Sequence, residues 1–164
     1  MKKKIVFDLD GVLRDIDNYL VDKYNVPYPT EWDWKYKGKD FWWYANKDND
    51  MLVINSKPTE YLDTIKKYCK SLEIWTCQPE RWRKNTKKWV YNNLGSNIKL
   101  FFLSTKEKRI RLDKETDTVL VEDNPNFTSY ERILLIDRPY NKKVKTKNRI
   151  RNPKQLAKVL KEFK

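Results

Sequence analysis

Short apolar runs alternate with helical patterns along most of the chain. The runs are rich in Val, Ile, Leu and Phe and have the length of buried β-strands. The predicted strands that contain these runs span residues 4–10, 72–76, 98–103, 118–123 and 133–137. Between them, apolar side chains recur every three or four residues, as on helices with one buried face. This alternation predicts an α/β fold: a Rossmann-like parallel sheet of about five strands with helices on both faces.

Proline, glycine and asparagine mark the ends of the predicted helices. Pro58 and Pro79 each fit the first turn of a helix, where the missing N–H is not needed. Gly95 fits a helix stop after the second of these helices. Asn152 fits an N-cap, with Pro153 at the first position of the last helix. The pattern therefore predicts sharp boundaries for these elements.

A different pattern covers residues from about 15 to 56. A helical stretch is followed by a segment with four of the seven tryptophans of the chain. We expect a small aromatic-rich cap insert over the pocket of one domain spanning residues 1–164. Most of these aromatic residues would form a miniature core. One or two would face a ligand, and Trp42 and Trp43 are the candidates, since stacking on a base contributes about 1–3 kcal/mol.

Composition and charge narrow the classes of function. Lys and Arg number 36 against 23 acidic residues, a net charge of +13 that suits polyanionic partners or solvated lysines equally. Histidine is absent, which excludes nucleophile schemes with an imidazole base and metal sites built on histidine. Cys69 and Cys77 are too few for a disulfide scaffold, so we expect reduced thiols in a cytoplasmic protein. No apolar run approaches the roughly 20 residues of a membrane helix.

Two aspartates follow the first apolar run directly. Asp8 and Asp10 lie two positions apart, roughly 6.6 Å along a strand, and share one face. Adjacent carboxylates repel each other unless a cation or a proton lies between them, and Mg²⁺ suits oxygen ligands. A calcium loop counted from Asp8 fails, because Leu13 and Tyr19 occupy the positions that require Gly and Glu. A structural turn with two solvated aspartates is the remaining alternative.

Polar residues also follow three other predicted strands. Thr76 and Cys77 end the second strand, a turn at 104–108 follows the third, and Glu122 and Asp123 end the fourth. Because parallel strands end at the same edge of a sheet, ligands bind there. A hydroxyl, an ammonium and several carboxylates at this edge are what a phosphoryl-transfer site needs.

The ordered motifs resemble those of haloacid-dehalogenase (HAD) phosphatases across nearly the whole chain, and most of all 5′(3′)-deoxyribonucleotidases. The matching segments are Asp-Leu-Asp-Gly-Val-Leu from Asp8, Ile-Trp-Thr ending at Thr76, Lys88-Trp89-Val90 to Gly95, Thr105-Lys106-Glu107-Lys108, Val121-Glu122-Asp123-Asn124-Pro125 and Arg138-Pro139-Tyr140-Asn141.

This resemblance implies a role for each matched residue. Asp8 would be the nucleophile that forms an aspartyl-phosphate, and Asp10 would protonate the leaving alcohol and then activate water. Thr76 and Lys108 would bind the phosphate, with Cys77 beside them. The implied Mg²⁺ ligands are Asp8, the backbone carbonyl of Asp10, Glu122 and Asp123. The implied substrate is a small phosphate ester, a (deoxy)nucleoside monophosphate.

Three choices stay open at this point. The related enzymes have Asp-Asp where this chain has Glu122-Asp123, so either residue could be the direct ligand. The third motif offers Lys106 as well as Lys108. The basic segment 142–151 alternates cations with other residues and, if extended, could follow a nucleic-acid backbone. The alternative functions are therefore a phosphatase of 3′- or 5′-phosphorylated nucleic-acid ends, or a non-catalytic nucleic-acid-binding protein.

Overall fold

A central parallel sheet organises the fold. In the computed structural model, which describes residues 3–163, six strands pair in parallel in the order β10-β9-β8-β1-β6-β7. The strands are β1 (Lys4–Phe7), β2 (Arg14–Asp15), β3 (Lys35–Tyr36), β4 (Lys39–Asp40), β5 (Lys57–Pro58), β6 (Leu72–Thr76), β7 (Ile98–Phe102), β8 (Thr118–Glu122), β9 (Ile133–Ile136) and β10 (Arg149–Ile150). The helices are α1 (Ile16–Tyr24), α2 (Phe41–Lys47), α3 (Leu52–Asn55), α4 (Leu62–Tyr68), α5 (Arg83–Leu94), α6 (Thr105–Lys114) and α7 (Pro153–Lys161).

Helices cover both faces of the sheet, as the sequence pattern predicts. Successive side chains of β1 point to opposite faces: Phe7 joins a core cluster with α4, α5 and α7, whereas Val6 joins a cluster with Leu112 of α6. Both strand residues are fully buried. This two-sided burial is why the strands are apolar throughout rather than alternating.

The structure confirms the helix stop at Gly95 and changes the two helix starts predicted at Pro58 and Pro79. A 3₁₀ turn, Glu80–Trp82, follows Pro79, and α5 begins at Arg83. The Asn152 side chain accepts the backbone N–H of Gln155 and caps α7, as predicted. Pro58 does not open a helix: it pairs with Arg14 in the short antiparallel β2–β5 ribbon, and α4 begins at Leu62. An edge position tolerates proline because no ladder hydrogen bond is lost. The sixth strand, β10, is too short to show an apolar pattern.

Residues 16–55 contain α1, the β3–β4 ribbon, α2 and α3, and they have a hydrophobic cluster of their own. Its buried members are Ile16, Leu20, Val26, Tyr44, Ala45, Leu52, Val53 and, from beyond β6, Trp82. Aromatic rings pack around Tyr44, which contacts Tyr24, Trp34 and Trp43. Most aromatic residues of the insert thus pack against each other. Among residues 3–163, no helix is long and apolar enough to cross a membrane.

Candidate active site

Strand pairing brings the acidic strand ends together. β1 pairs with β8 so that Phe7 lies opposite Val121, and the Asp8 N–H donates to the Val121 carbonyl at 2.8 Å. Asp8 and Glu122 therefore leave neighbouring strands at the same edge. α6 supplies the lysine: its N-terminus is fixed by a capping box between Ser104 and Glu107.

A buried group of charges lies at this edge. One carboxylate oxygen from each of Asp8, Glu122 and Asp123 lies within 4.8 Å of the others. The Lys108 ammonium lies 2.8 Å from Asp8 Oδ1 and 3.0 Å from Glu122 Oε2. Lys108 is 2% exposed, which excludes bulk water as its main partner. The group thus holds three carboxylates against one ammonium.

The protonation equilibria reflect this excess of negative charge. Burial raises the pKa of Asp8 well above its usual range, and the Glu122 charge adds to the effect while Lys108 opposes it. Burial, together with the Asp8 charge, raises the pKa of Asp123 to about 7. Burial also raises the pKa of Glu122 against the lowering influence of Lys108. Burial disfavours the charged form of Lys108, but Asp8 and Glu122 more than offset it and raise its pKa.

These residues fit a divalent cation. Hard oxygen donors converge in a buried site, and a second positive charge would relieve the repulsion that raises the carboxyl pKa values. Glu122 Oε1 accepts the backbone N–H groups of Asp123 and Asn124, each at 3.2 Å. The Asp123 carboxylate accepts the Tyr140 hydroxyl. Both side chains are therefore oriented by partners outside the acidic group.

Gly11 gives the acidic group its space. It has a φ of +76°, and a Cβ at this position would overlap the Asp123 carboxylate and contact the Tyr140 hydroxyl. Only glycine adopts this conformation without strain and leaves this space free.

The Asp10 carboxylate is turned toward other partners. It is not a member of the acidic group found among the described residues. Arg14 binds both of its oxygens, and Gln78 donates to Oδ2 at 2.6 Å. The Asp10 side chain is therefore committed to Arg14 and Gln78, apart from the group formed by Asp8, Glu122 and Asp123.

A cavity of about 340 Å³ opens beside the acidic group. Its charged lining consists of Asp8, Asp10, Lys108, Glu122 and Asp123, and its aromatic lining includes Trp32, Trp34, Phe41, Trp42 and Trp82. Asp17 of α1 also lines the cavity, and burial, with the charge of Asp15, raises its pKa to about 7. The indole N–H of Trp82 is buried without a hydrogen-bond partner. The cavity thus combines a cluster of charged side chains with flat aromatic ones.

The predicted substrate contacts divide into residues that line the cavity and residues that do not. Trp42 and Cys77 line it. Thr76 ends β6 but is 1% exposed and is not part of the lining. Trp43 also lies outside the lining and packs edge-on against Tyr44. Adjacent helix residues point about 100° apart, so Trp42 and Trp43 do not face one ligand together.

The structure distinguishes the two candidate lysines of the third motif. Lys108 is buried between Asp8 and Glu122, whereas Lys106 is exposed. Asp17 and Trp82 line the cavity without having been predicted to do so. α1 contains Asp22 as well as Asp17, and Trp82 is one of seven tryptophans, so neither residue carried a signal of its own.

The basic segment 142–151 does not form one extended face. Residues 142–144 make a turn and a bend, and only Arg149–Ile150 form a strand. The Arg149 guanidinium donates to the Asp137 carboxylate at 2.6 Å and to backbone carbonyls of Asn141 and Val144. Arg149, one of the six cations of this segment, is thus committed to internal contacts, which weakens the premise of a continuous basic track.

Comparison with known proteins identifies a similar fold. No protein-family model matches this sequence, and no curated protein matches it. A solved structure from Thermotoga maritima, described as a "putative beta-phosphoglucomutase", aligns with a TM-score of 0.54 at 16% identity and covers 98% of this chain and 99% of that chain. At this identity the likeness shows the fold alone. The likeness agrees with the predicted α/β fold with a parallel sheet, and it carries nothing specific to deoxyribonucleotidases.

Proposed function

We propose that this chain is a Mg²⁺-dependent phosphomonoesterase of the HAD superfamily that hydrolyses (deoxy)nucleoside monophosphates through an aspartyl-phosphate. The observation that carries the proposal is the convergence of Asp8, Glu122 and Asp123 in the lining of a cavity, with the Lys108 ammonium between Asp8 and Glu122. Buried carboxylates in excess over cations are costly for the fold, and such arrangements occur at functional sites.

The first half-reaction transfers the phosphoryl group to Asp8. Lys108 holds Asp8 Oδ1, and the other oxygen attacks phosphorus while the bond to the leaving oxygen breaks. Asp10 gives a proton to that oxygen. Lys108 also neutralises charge on the phosphate. Asp8, Glu122 and Asp123 would hold Mg²⁺, with the Asp10 carbonyl; the ion supplies positive charge beside the transferring phosphoryl group.

The second half-reaction restores Asp8. Asp10, now without its proton, accepts one from a water molecule, whose oxygen attacks phosphorus as the bond to Asp8 breaks. Inorganic phosphate leaves, and Asp10 again carries a proton. The cap-like cover formed by residues 16–55 would exclude bulk water from both steps.

The aromatic walls favour a flat leaving group. Trp42, Phe41 and Trp82 form one wall, with the Trp42 and Trp82 ring centroids 5.5 Å apart. A nucleobase can stack on such rings. The unpartnered Trp82 N–H could donate to an acceptor on the base, and Asp17 could accept from an amino or hydroxyl group. These features support a nucleoside as the leaving group.

Phosphate release from deoxynucleoside monophosphates tests the proposal. Purified protein with Mg²⁺ should release phosphate from them, while Asp8→Asn protein should not. Oligonucleotides with 3′- or 5′-terminal phosphates serve as the second substrate set, because the strongly basic chain also suits nucleic acid. A higher kcat/KM on oligonucleotides would favour nucleic-acid ends. Salt-sensitive nucleic-acid binding that survives Asp8→Asn, without phosphate release from any substrate, would indicate a non-catalytic protein.

A further inference from the structure

Arg14 binds the Asp10 carboxylate from a position without any solvent exposure. Its Nε lies 2.6 Å from Asp10 Oδ1 and its Nη2 lies 3.0 Å from Oδ2, which makes a bidentate pair. The guanidinium also lies over the Trp89 ring at 5.5 Å. A planar guanidinium with five donors fixes the plane of a carboxylate in a way that a lysine does not.

Two further side chains complete the support of Asp10. The Gln78 side-chain amide donates to Asp10 Oδ2 at 2.6 Å, and its Oε1 accepts the Thr86 hydroxyl at 2.6 Å. The Thr86 oxygen in turn accepts from Arg14 Nη1 at 3.3 Å. The hydrogen bonds form a closed ring in which three N–H donors point at Asp10.

The same guanidinium reaches the insert. Arg14 Nη1 donates to the backbone carbonyl of Val53 in α3 at 2.7 Å. Asp10 is 17% exposed at its side chain and lines the cavity, while its carboxylate contacts Arg14 and Gln78. Asp10 is thus supported from the core and, through Arg14, from the insert.

We infer that Arg14 and Gln78 are positioning residues that orient the Asp10 carboxyl toward the leaving oxygen. Through its hydrogen bond to Val53, Arg14 also couples this orientation to the position of α3. The inference rests on the proposed function, in which Asp10 transfers the proton. Its consequence is a selective defect. Loss of Arg14 should slow the release of alcohols, which require a proton, far more than the release of a phenolate that leaves without one.

The test compares two leaving groups in single-turnover experiments with Arg14→Met and Gln78→Met. Correct proton transfer contributes about 10²–10⁴-fold, so Arg14→Met should slow nucleoside release from a deoxynucleoside monophosphate by at least about 100-fold. Single-turnover release of p-nitrophenolate from p-nitrophenyl phosphate should slow by less than about 10-fold, because this leaving group needs no proton. Gln78→Met should also slow nucleoside release more than p-nitrophenolate release, by a smaller factor. Arg14→Lys should release nucleoside faster than Arg14→Met.

Arg132→Met is the matched control. Arg132 is a partly buried arginine that donates to the backbone carbonyls of Leu112, Glu115 and Thr118, away from the cavity. Arg132→Met should lower the stability of the protein without slowing the release of one leaving group more than the other. Equal slowing of both substrates in the folded Arg14 and Gln78 variants would overturn the inference.

Failure of the proposed function has a different signature. Wild-type protein would then release neither leaving group. In that case crystal structures of wild-type, Gln78→Met and Arg14→Lys protein decide the positioning claim. An Asp10 carboxylate with unchanged orientation in both variants would contradict it, and a rotated carboxylate in the Arg14→Lys variant would support it.

Discussion

Replacement of Lys108 by methionine removes the one ammonium of the buried acidic group at nearly constant side-chain length. Lys108 is 2% exposed, and its ammonium contacts Asp8 and Glu122 at 2.8 and 3.0 Å. Removal of one partner from a buried ion pair costs about 3–5 kcal/mol, because the remaining charge stays buried without compensation. We expect a loss of this size in the free energy of unfolding of Lys108→Met, measured in EDTA at pH 8.

The pH dependence of this loss follows from the carboxyl pKa values. Burial raises the pKa values of Asp8 and Glu122 in the folded state above their unfolded values, and removal of Lys108 raises them further. The folded state then binds more protons than the unfolded state. Stability therefore falls as pH rises from the unfolded pKa values of these carboxyls toward their higher folded pKa values. The difference in free energy of unfolding between wild type and Lys108→Met should therefore be smaller at pH 6 than at pH 8. Added Mg²⁺ should also make this difference smaller.

Urea denaturation of wild type, Lys108→Met and Lys106→Met measures this effect. Lys106 lies two residues away and is exposed, so its variant should stay within about 0.5 kcal/mol of wild type. The reasoning is refuted if Lys108→Met, in EDTA at pH 8, is as stable as Lys106→Met.

Three further predictions concern the cavity and its rim. Trp42→Ala should lower kcat/KM for nucleoside monophosphates by roughly 5- to 150-fold, since one stacking contact contributes about 1–3 kcal/mol, whereas Trp43→Ala should change it little; steady-state kinetics decide this. Gly11→Ala should abolish phosphatase activity, because its Cβ would overlap the Asp123 carboxylate; retained activity in a folded variant would contradict this. Burial raises the pKa of Asp17 to about 7, so its contribution to stability is lost between about pH 4 and pH 7, and Asp17→Asn in EDTA should unfold with a weaker pH dependence than wild type; equal slopes would contradict the burial of this carboxyl.

The convergence of the acidic residues could be predicted because it follows from topology. Parallel strands end at one edge, so Asp8 and Glu122 had to leave neighbouring or nearby strands on the same side. The choice of Lys108 over Lys106 also has a local cause. Lys108 and Leu112 are the buried residues of α6 and lie one turn apart, on the face directed at the sheet.

The surroundings of Asp10 could not be predicted in the same way. Gln78 lies 68 positions from Asp10, and Thr86 lies 72 positions from Arg14. Such contacts depend on how the insert and α5 pack, which no local spacing encodes. Full burial of an arginine is also uncommon without several partners, and those partners are distant in sequence. The lining tryptophans pose the same problem, since aromatic content does not reveal which ring faces a cavity.

A crystal structure with Mg²⁺ and beryllium fluoride, an aspartyl-phosphate mimic, tests the central claim most directly. The account predicts the beryllium atom of a BeF₃ group bonded to an Asp8 carboxylate oxygen, with the fluorides within reach of the Lys108 ammonium. It also predicts a cation about 2.1 Å from a carboxylate oxygen of Glu122 or Asp123. An unmodified Asp8 at saturating reagent, with no cation among these carboxylates, would contradict it.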